Sequence, residues 1–324
     1  MASNLLEIKN LNISSQLDKN TSINLVENLD LKIRKGQIVG LVGESGCGKS
    51  ITALSISQLN ESPPLKYKSG SILYHDNDLL KFSKKQLNNL RGKDIGMIFQ
   101  EPMTSLNPSY TIGMQLNEVL LIHEKNLNKN EKYNKCIEAL ENVGITEPTK
   151  RYNQYPHELS GGIRQRVMIA MAMICNPELL IADEPTTALD VTIQAQILKL
   201  IISLQKKNNM SVLLITHDLA VVSEVCEYVY VMYAGKIIEH GTANQIFSKP
   251  KHPYTNGLLN SIPQVGENPK RLPTIPGRVL DPSDRKNGCY FYDRCSFKTD
   301  QCYLEPPKLK DLELGHEVRC WNPN

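Results

Sequence analysis

Eight residues, Gly43-Glu44-Ser45-Gly46-Cys47-Gly48-Lys49-Ser50, separate an apolar run, Ile38 to Val42, from a helix-forming stretch, Ile51 to Leu59. A buried strand, a glycine-rich turn and a helix in that order constrain the chain more than any other feature, because together they make a cradle for phosphate. The glycines let successive backbone N–H groups turn inward. Lys49 can reach the β and γ oxygens, Ser50 can ligate Mg2+, and the helix N-terminus adds a favourable dipole. A purely structural glycine turn would lack this flanking context. The pattern implies binding of a nucleoside triphosphate.

Leu179-Leu-Ile-Ala-Asp183-Glu184 reads as a buried strand that ends in two adjacent carboxylates. Such charges cannot sit unpartnered inside a core, so they belong at the carboxyl end of the strand, facing a ligand. Asp183 suits Mg2+ through water, and Glu184 suits an attacking water as general base. Leu159-Ser160-Gly161-Gly162-Ile163-Arg164-Gln165-Arg166 opens an amphipathic helix with Val167, Ala170, Met171 and Ile174 on one side. Ser160 is the expected N-cap, and the two glycines leave the first amides bare, an arrangement that attracts an anion. Since the chain already has a phosphate loop, this second terminus is read as serving the γ-phosphate held by another subunit.

In this order the motifs resemble the ATP-binding subunits of ABC transporters over most of residues 5–245. The resemblance implies an α/β fold: a P-loop ABC nucleotide-binding domain with an antiparallel β edge, a helical subdomain and a small Cys-rich C-terminal module. It also implies roles. Gln100, in Met97-Ile-Phe-Gln100, matches the Q-loop glutamine that senses Mg2+ and water; Asp190 matches the D-loop aspartate; His217 matches the switch histidine at the γ-phosphate. Gln100-Glu-Pro-Met-Thr-Ser-Leu-Asn-Pro108, Tyr155-Pro-His-Glu-Leu-Ser160, Pro185-Thr-Thr-Ala-Leu-Asp-Val-Thr192 and His252-Pro-Tyr-Thr255 look like the oligopeptide and dipeptide importer branch, which nickel importers share.

By that resemblance the chain pairs with a second, homologous ATPase as a heterodimer. It serves two integral-membrane permease subunits, which take substrate from an extracellular binding protein. The departures are Ile163 in the signature, Glu101 after Gln100, and the N-terminal strand. There the family places an aromatic ring against adenine, but Leu11-Asn-Ile-Ser-Ser15 has none, and the first aromatic is Tyr67. Stacking contributes ~1–3 kcal/mol per base, so weak discrimination between ATP and GTP is expected.

Composition sets the frame. At 324 residues two domains are expected: a cassette over residues 1–248, with its helical subdomain at about 101–175, and a Pro-rich extension over 249–324. Strands at Leu5–Ile8, Leu29–Ile33 and Ser71–Tyr74 suggest the antiparallel edge; Met114–Glu124 and Lys132–Val143 show helical spacing. No apolar run reaches the ~20 residues of a membrane span, and the N-terminus lacks signal-peptide character. A peripheral protein on the cytoplasmic face of the membrane is expected. A net charge of +3 gives no argument for nucleic acid. The rival reading, a soluble ABC-type ATPase acting on DNA or ribosomes, lacks the heptads, paired cassettes or basic arm it needs.

Pro250, Pro253, Pro263, Pro269, Pro273, Pro276 and Pro282 predict a semi-rigid wrap. Beyond it, Cys289, Cys295, Cys302 and Cys320 crowd the last 36 residues, while Cys47, Cys136, Cys175 and Cys226 are scattered and read as reduced thiols. Two disulfides, zinc or an iron–sulfur cluster are open on spacing, although disulfides are disfavoured in the cytoplasm and the gaps of five, six and seventeen residues match no common zinc or ferredoxin pattern. The resemblance to dipeptide importer ATPases, whose four-cysteine tail is associated with a 4Fe–4S cluster, implies that cluster here in a structural role.

Overall fold

The alternating run from Asn4 to Gln16 forms β1 and pairs antiparallel with β2 (Ser22–Arg34) on one side and β4 (Leu65–Tyr74) on the other, with β5 (Asn77–Asp78) at the edge. Ile8 opposite Leu31, Leu11 opposite Leu29 and Ile13 opposite Val26 are all buried, so one face of this sheet is core. The expected antiparallel edge is present, with longer strands than the sequence suggested. The structure, a computed structural model, describes residues 4–18, 21–101, 105–187, 189–261, 274–285 and 287–324. It has two units, Ser3–Leu80 with Leu214–Asn324, and Lys81–Leu213. The boundary falls within β8 (Ser211–Thr216).

In the first unit, β3 (Ile38–Val42) is buried at all five positions and runs parallel to β9 (Tyr228–Tyr233). A continuous apolar run is what a strand covered on both faces requires. The sheet continues antiparallel through β10 (Lys236–Thr242) to β12 (His316–Val318) and β11 (Lys310–Glu313). Helix α1 (Lys49–Ile56) follows the phosphate loop, and α8 (Leu219–Val225), α9 (Ala243–Ser248), α10 (Pro253–Asn260) and α11 (Asp300–Leu304) complete the unit.

The C-terminal residues do not form the separate small module expected from the sequence. With little apolar surface of their own, they complete the sheet: Val318 pairs with Glu239 and Glu317 with His240. Of the prolines expected to form a wrap, Pro263, Pro269 and Pro273 lie outside the described residues.

In the second unit, β6 (Ile95–Ile98) is parallel to β7 (Leu179–Asp183). Around them run α2 (Lys84–Leu90), α3 (Ile112–His123), α4 (Lys129–Asn142), α5 (Pro148–Tyr152), α6 (Gly161–Met173) and α7 (Val191–Asn208). Capping residues explain why α3 and α4 begin earlier than apolar spacing suggests. Thr111 Oγ1 accepts the N–H of Met114, and Asn128 forms a capping box with Glu131. Leu116, Leu120, Cys136, Leu140 and Val167 supply the buried faces of these helices.

Two buried histidines make the first unit acid-sensitive. Burial holds His240 down to about 4 and His252 down to about 3, against 6.5 for a free imidazole. The unfolded chain takes up protons near pH 6.5 that the folded chain refuses until well below it. Stability is therefore full above pH 6.5 and is lost as pH falls toward 4, by on the order of a few kcal/mol. Thermal unfolding at pH 7.5 and pH 4.5 measures this; an unchanged midpoint would rule the penalty out.

Candidate nucleotide site

The phosphate loop leaves β3 at Val42 and enters α1 at Lys49. Gly48 is the N-cap at φ 109, a conformation open to glycine and strained for any side chain. Lys49 is buried, and its Nζ donates to the carbonyls of Gly43 at 2.8 Å and Glu44 at 3.0 Å. The carbonyl of Cys47 accepts from Gly235 N at 2.8 Å, which ties the loop to the turn between β9 and β10. Cys47 is buried with its thiol 3.9 Å from Lys49 Nζ, and burial pushes that thiol up. Val26 of β2 stands close to the N-cap, 3.5 Å from a Cβ placed on Gly48.

Sequence reasoning missed a contact behind this loop. The carboxylate of Glu44 receives both arms of the Arg294 guanidinium, at 2.7 and 2.9 Å, while the Glu44 N–H donates to Tyr254 Oη at 2.9 Å. Tyr254 belongs to the His252-Pro-Tyr-Thr255 run and is fully buried. Its ring lies 4.7 Å from that of Tyr233 and 5.5 Å from that of Phe291. Arg294 is also buried, on the turn between Cys289 and Cys295. No spacing rule connects residue 44 with residue 294; only the fold does.

In the second unit the two carboxylates end β7 as expected. Asp183 is buried, and Glu184 follows in a left-handed conformation, φ 45, uncommon for a residue with a side chain. Strain of this kind persists where the surroundings enforce it. Here Glu184 Oε2 accepts from Gln100 Nε2 at 3.2 Å and Thr187 Oγ1 at 3.0 Å. The structure thus brings together Gln100, two residues beyond β6, and Glu184. Thr187 is the partner that the sequence did not single out.

Ser160 occupies the N-cap position of α6, but its hydroxyl makes no capping bond, contrary to expectation. The Ser160 carbonyl takes the first helical bond, from Arg164 N at 2.9 Å, and no side-chain cap meets the amides of the first turn. Ser160 and Gly161 are exposed and Gly162 is half-buried, so the amide end of the helix is accessible. Asp190 caps α7, accepting from Ile193 N at 3.0 Å, a local role that needs no second subunit. His217, in the first unit, stands one residue past β8 and just before the cap Asp218. Ser50, Gly46 and Ser45 lie in the first unit with the loop, and Asp183 and Gln100 in the second.

Cys289, Cys295, Cys302 and Cys320 line one small cavity with His252 and Trp321, and none is oxidised to a disulfide. Burial, reinforced by the other thiols, pushes Cys289 and Cys320 up to about 11 and also raises Cys295. Among the described residues no group of three or more His, Cys, Asp or Glu could hold a metal ion. Two of the sulfurs are engaged locally: Cys295 Sγ accepts from Phe297 N and Cys302 Sγ bonds Thr299 Oγ1, each at 3.4 Å. Among the scattered cysteines Cys136 and Cys226 are buried and pushed up to about 12, as inert thiols should be.

No helix among the described residues is long and apolar enough to cross a membrane. Residues 26–187 match the ABC transporter family, and residues 238–302 match the oligopeptide/dipeptide transporter C-terminal region. The dipeptide transport ATP-binding protein DppD of Escherichia coli is 46% identical over 94% of this chain and 93% of its own length. The oligopeptide transport ATP-binding protein AppD of Bacillus subtilis is 50% identical over 98% of this chain and 97% of its own. A dimeric ATP-binding cassette solved in a post-hydrolysis state with ADP and Pi aligns with a TM-score of 0.65 and 26% identity, covering 74% of this chain and 98% of that one. With the strand, phosphate loop and paired carboxylates in place, the chain belongs to the ABC transporter family as an ABC ATPase, among its peptide-transport ATP-binding subunits.

Proposed function

We propose that this chain hydrolyses ATP to energise import of di- and oligopeptides across the cytoplasmic membrane, from whose inner face it works. The observation that carries the reading is identity of 46 to 50% with peptide-transport ATPases along nearly the whole chain, the C-terminal region included. It acts as one half of a heterodimer with a second ATPase, docked on two permease subunits that receive substrate from an extracellular binding protein. Residues 1–248 serve as the cassette and 249–324 as its extension.

In this mechanism Gly43 to Ser50 hold the phosphates, and Lys49 exchanges its carbonyl partners for phosphate oxygens. Ser50, Gln100 and Asp183 would hold magnesium, which would neutralise phosphate charge. Glu184 takes the proton of the attacking water, Gln100 reports its presence, and His217 contacts the γ-phosphate. Ser160, Gly161 and Gly162 face the partner's nucleotide, and Asp190 lies along the dimer seam. Beyond that proton transfer, such catalysis is almost entirely positioning and electrostatics. The thiols of Cys289, Cys295, Cys302 and Cys320 are proposed as ligands of a structural 4Fe–4S cluster, supported by their convergence on one cavity. Ligation needs the sulfurs to leave their local bonds. Iron and acid-labile sulfide in anaerobically purified protein test this, and their absence refutes it.

The transport reading is tested by capturing the tagged chain from detergent-solubilised native membranes with ATP. Two multi-span permeases and a second ATPase are the expected companions; ribosomes or DNA-repair factors alone would overturn it. The co-purified binding protein, assayed with peptides and with nickel, identifies the cargo.

Base selectivity is a separate expectation. Ser15, in the strand where an adenine-stacking ring is usual, lies between Leu65 and Ile23 in the ladder and offers no ring. Tyr67 pairs with Ile13 on the neighbouring strand. Affinities for ATP and GTP within about tenfold of each other are expected when ~1–3 kcal/mol of stacking is missing. A strong preference for ATP in competition binding would place another ring on the base.

A further inference from the structure

We propose that Arg294 is a positioning residue for the phosphate loop: by holding Glu44 from the C-terminal extension, it sets the affinity of the loop for nucleotide. The inference rests on ATP binding at Gly43 to Ser50, but on no metal at the cysteines.

Every polar group of Glu44 is engaged. Its carboxylate takes the Arg294 fork, its N–H donates to Tyr254 Oη, and its carbonyl accepts from Lys49 Nζ at 3.0 Å. Glu44 is therefore held from both sides, by the phosphate-binding lysine in front and the extension behind. A planar guanidinium making two parallel bonds fixes orientation as well as distance, which a point charge would not do.

Arg294 is itself held rigid. Its Nε donates to Pro276 O at 2.8 Å, and its Nη atoms reach Ile275 O at 3.4 Å and Tyr233 Oη at 3.5 Å. It sits on a short turn whose ends are bonded: Tyr292 N donates to Cys289 O and Cys295 N to Tyr292 O. Cys289 N in turn donates to Cys302 O at 2.7 Å. The extension grips the neighbouring strand as well. Glu27, next to the Val26 that flanks Gly48, receives Arg285 Nη1 and Tyr290 Oη, each at 3.0 Å.

A loop containing three glycines loses much freedom when it wraps a phosphate chain. Bonds that hold it beforehand reduce that loss on binding. A bridge that merely fastened the tail would be needed for folding and would leave nucleotide affinity alone.

The test is calorimetric titration of the purified full-length chain with MgATP, beside its melting temperature. Arg294→Ala, which removes both arms of the bridge, should weaken ATP binding about tenfold, or ~1.4 kcal/mol. Arg294→Lys should recover part of it, and Glu44→Gln should match Arg294→Ala. In the Glu44→Gln/Arg294→Ala double variant the effects should not add, because both remove one interaction. If Arg294→Ala does not fold, Glu44→Gln reads the same coupling from the exposed side. Unchanged ATP affinity with a lowered melting temperature would overturn the proposal. Failure of the wild-type chain to bind ATP would instead overturn the site on which it rests.

Discussion

Glu184→Gln should slow turnover by roughly 10²–10⁴-fold while leaving ATP bound. The substitution keeps the side chain's shape, and the carboxamide oxygen can still accept from Thr187 Oγ1 and Gln100 Nε2 where Glu184 Oε2 now does. What it removes is the proposed proton acceptor. Loss of a positioned general base lowers rates by roughly 10²–10⁴-fold. ATPase rate and ATP affinity must be measured together on the same protein, with light scattering in ATP to follow the dimer. The expected result is slow hydrolysis, retained affinity and accumulation of a closed dimer with the partner ATPase. Hydrolysis at the wild-type rate would move the base to another residue.

Lys49→Ala should remove tight nucleotide binding altogether. The ammonium is buried and bonded to the loop's own atoms, Gly43 O, Glu44 O and, at 3.9 Å, Cys47 Sγ. Each hydrogen bond to a charged group is worth about 1.5–3 kcal/mol. Losing two such bonds to phosphate oxygens weakens ATP by at least about a hundredfold. Titration with MgATP reads this directly. Affinity equal to that of the wild-type chain would mean that the loop had been misread.

Local order was the part of the chain most legible in its sequence. Ile38–Val42, the glycines and the helix after Lys49 are contiguous, so their order along the chain announces them. The same holds for Leu179–Asp183 and its carboxylates. Helix starts were less legible, because Thr111 and Asn128 set them through side-chain bonds rather than through apolar period. Ser160 shows the limit of a residue preference: a good capping residue at the capping position makes no side-chain bond.

Contacts closed by the fold were not legible. Gln100 and Glu184 are 84 positions apart, and Glu44 and Arg294 are 250 apart. The setting of the four cysteines was less legible than their number. Their crowding suggested a self-contained metal knot, whereas the residues around them borrow an existing sheet, Val318 against Glu239.

That borrowed strand makes the extension hard to transplant. Glu239 is fully buried, and its carboxylate accepts from Lys251 N at 2.6 Å, His252 N at 2.9 Å and His316 Nε2 at 2.8 Å. All three donors lie beyond residue 248. A gene shortened there, or fused there to another tail, would encode a strand with a carboxylate in an apolar interior and no donor to meet it. Chimaeras between relatives should therefore exchange β10 and the tail together, and the two should be inherited as one cassette.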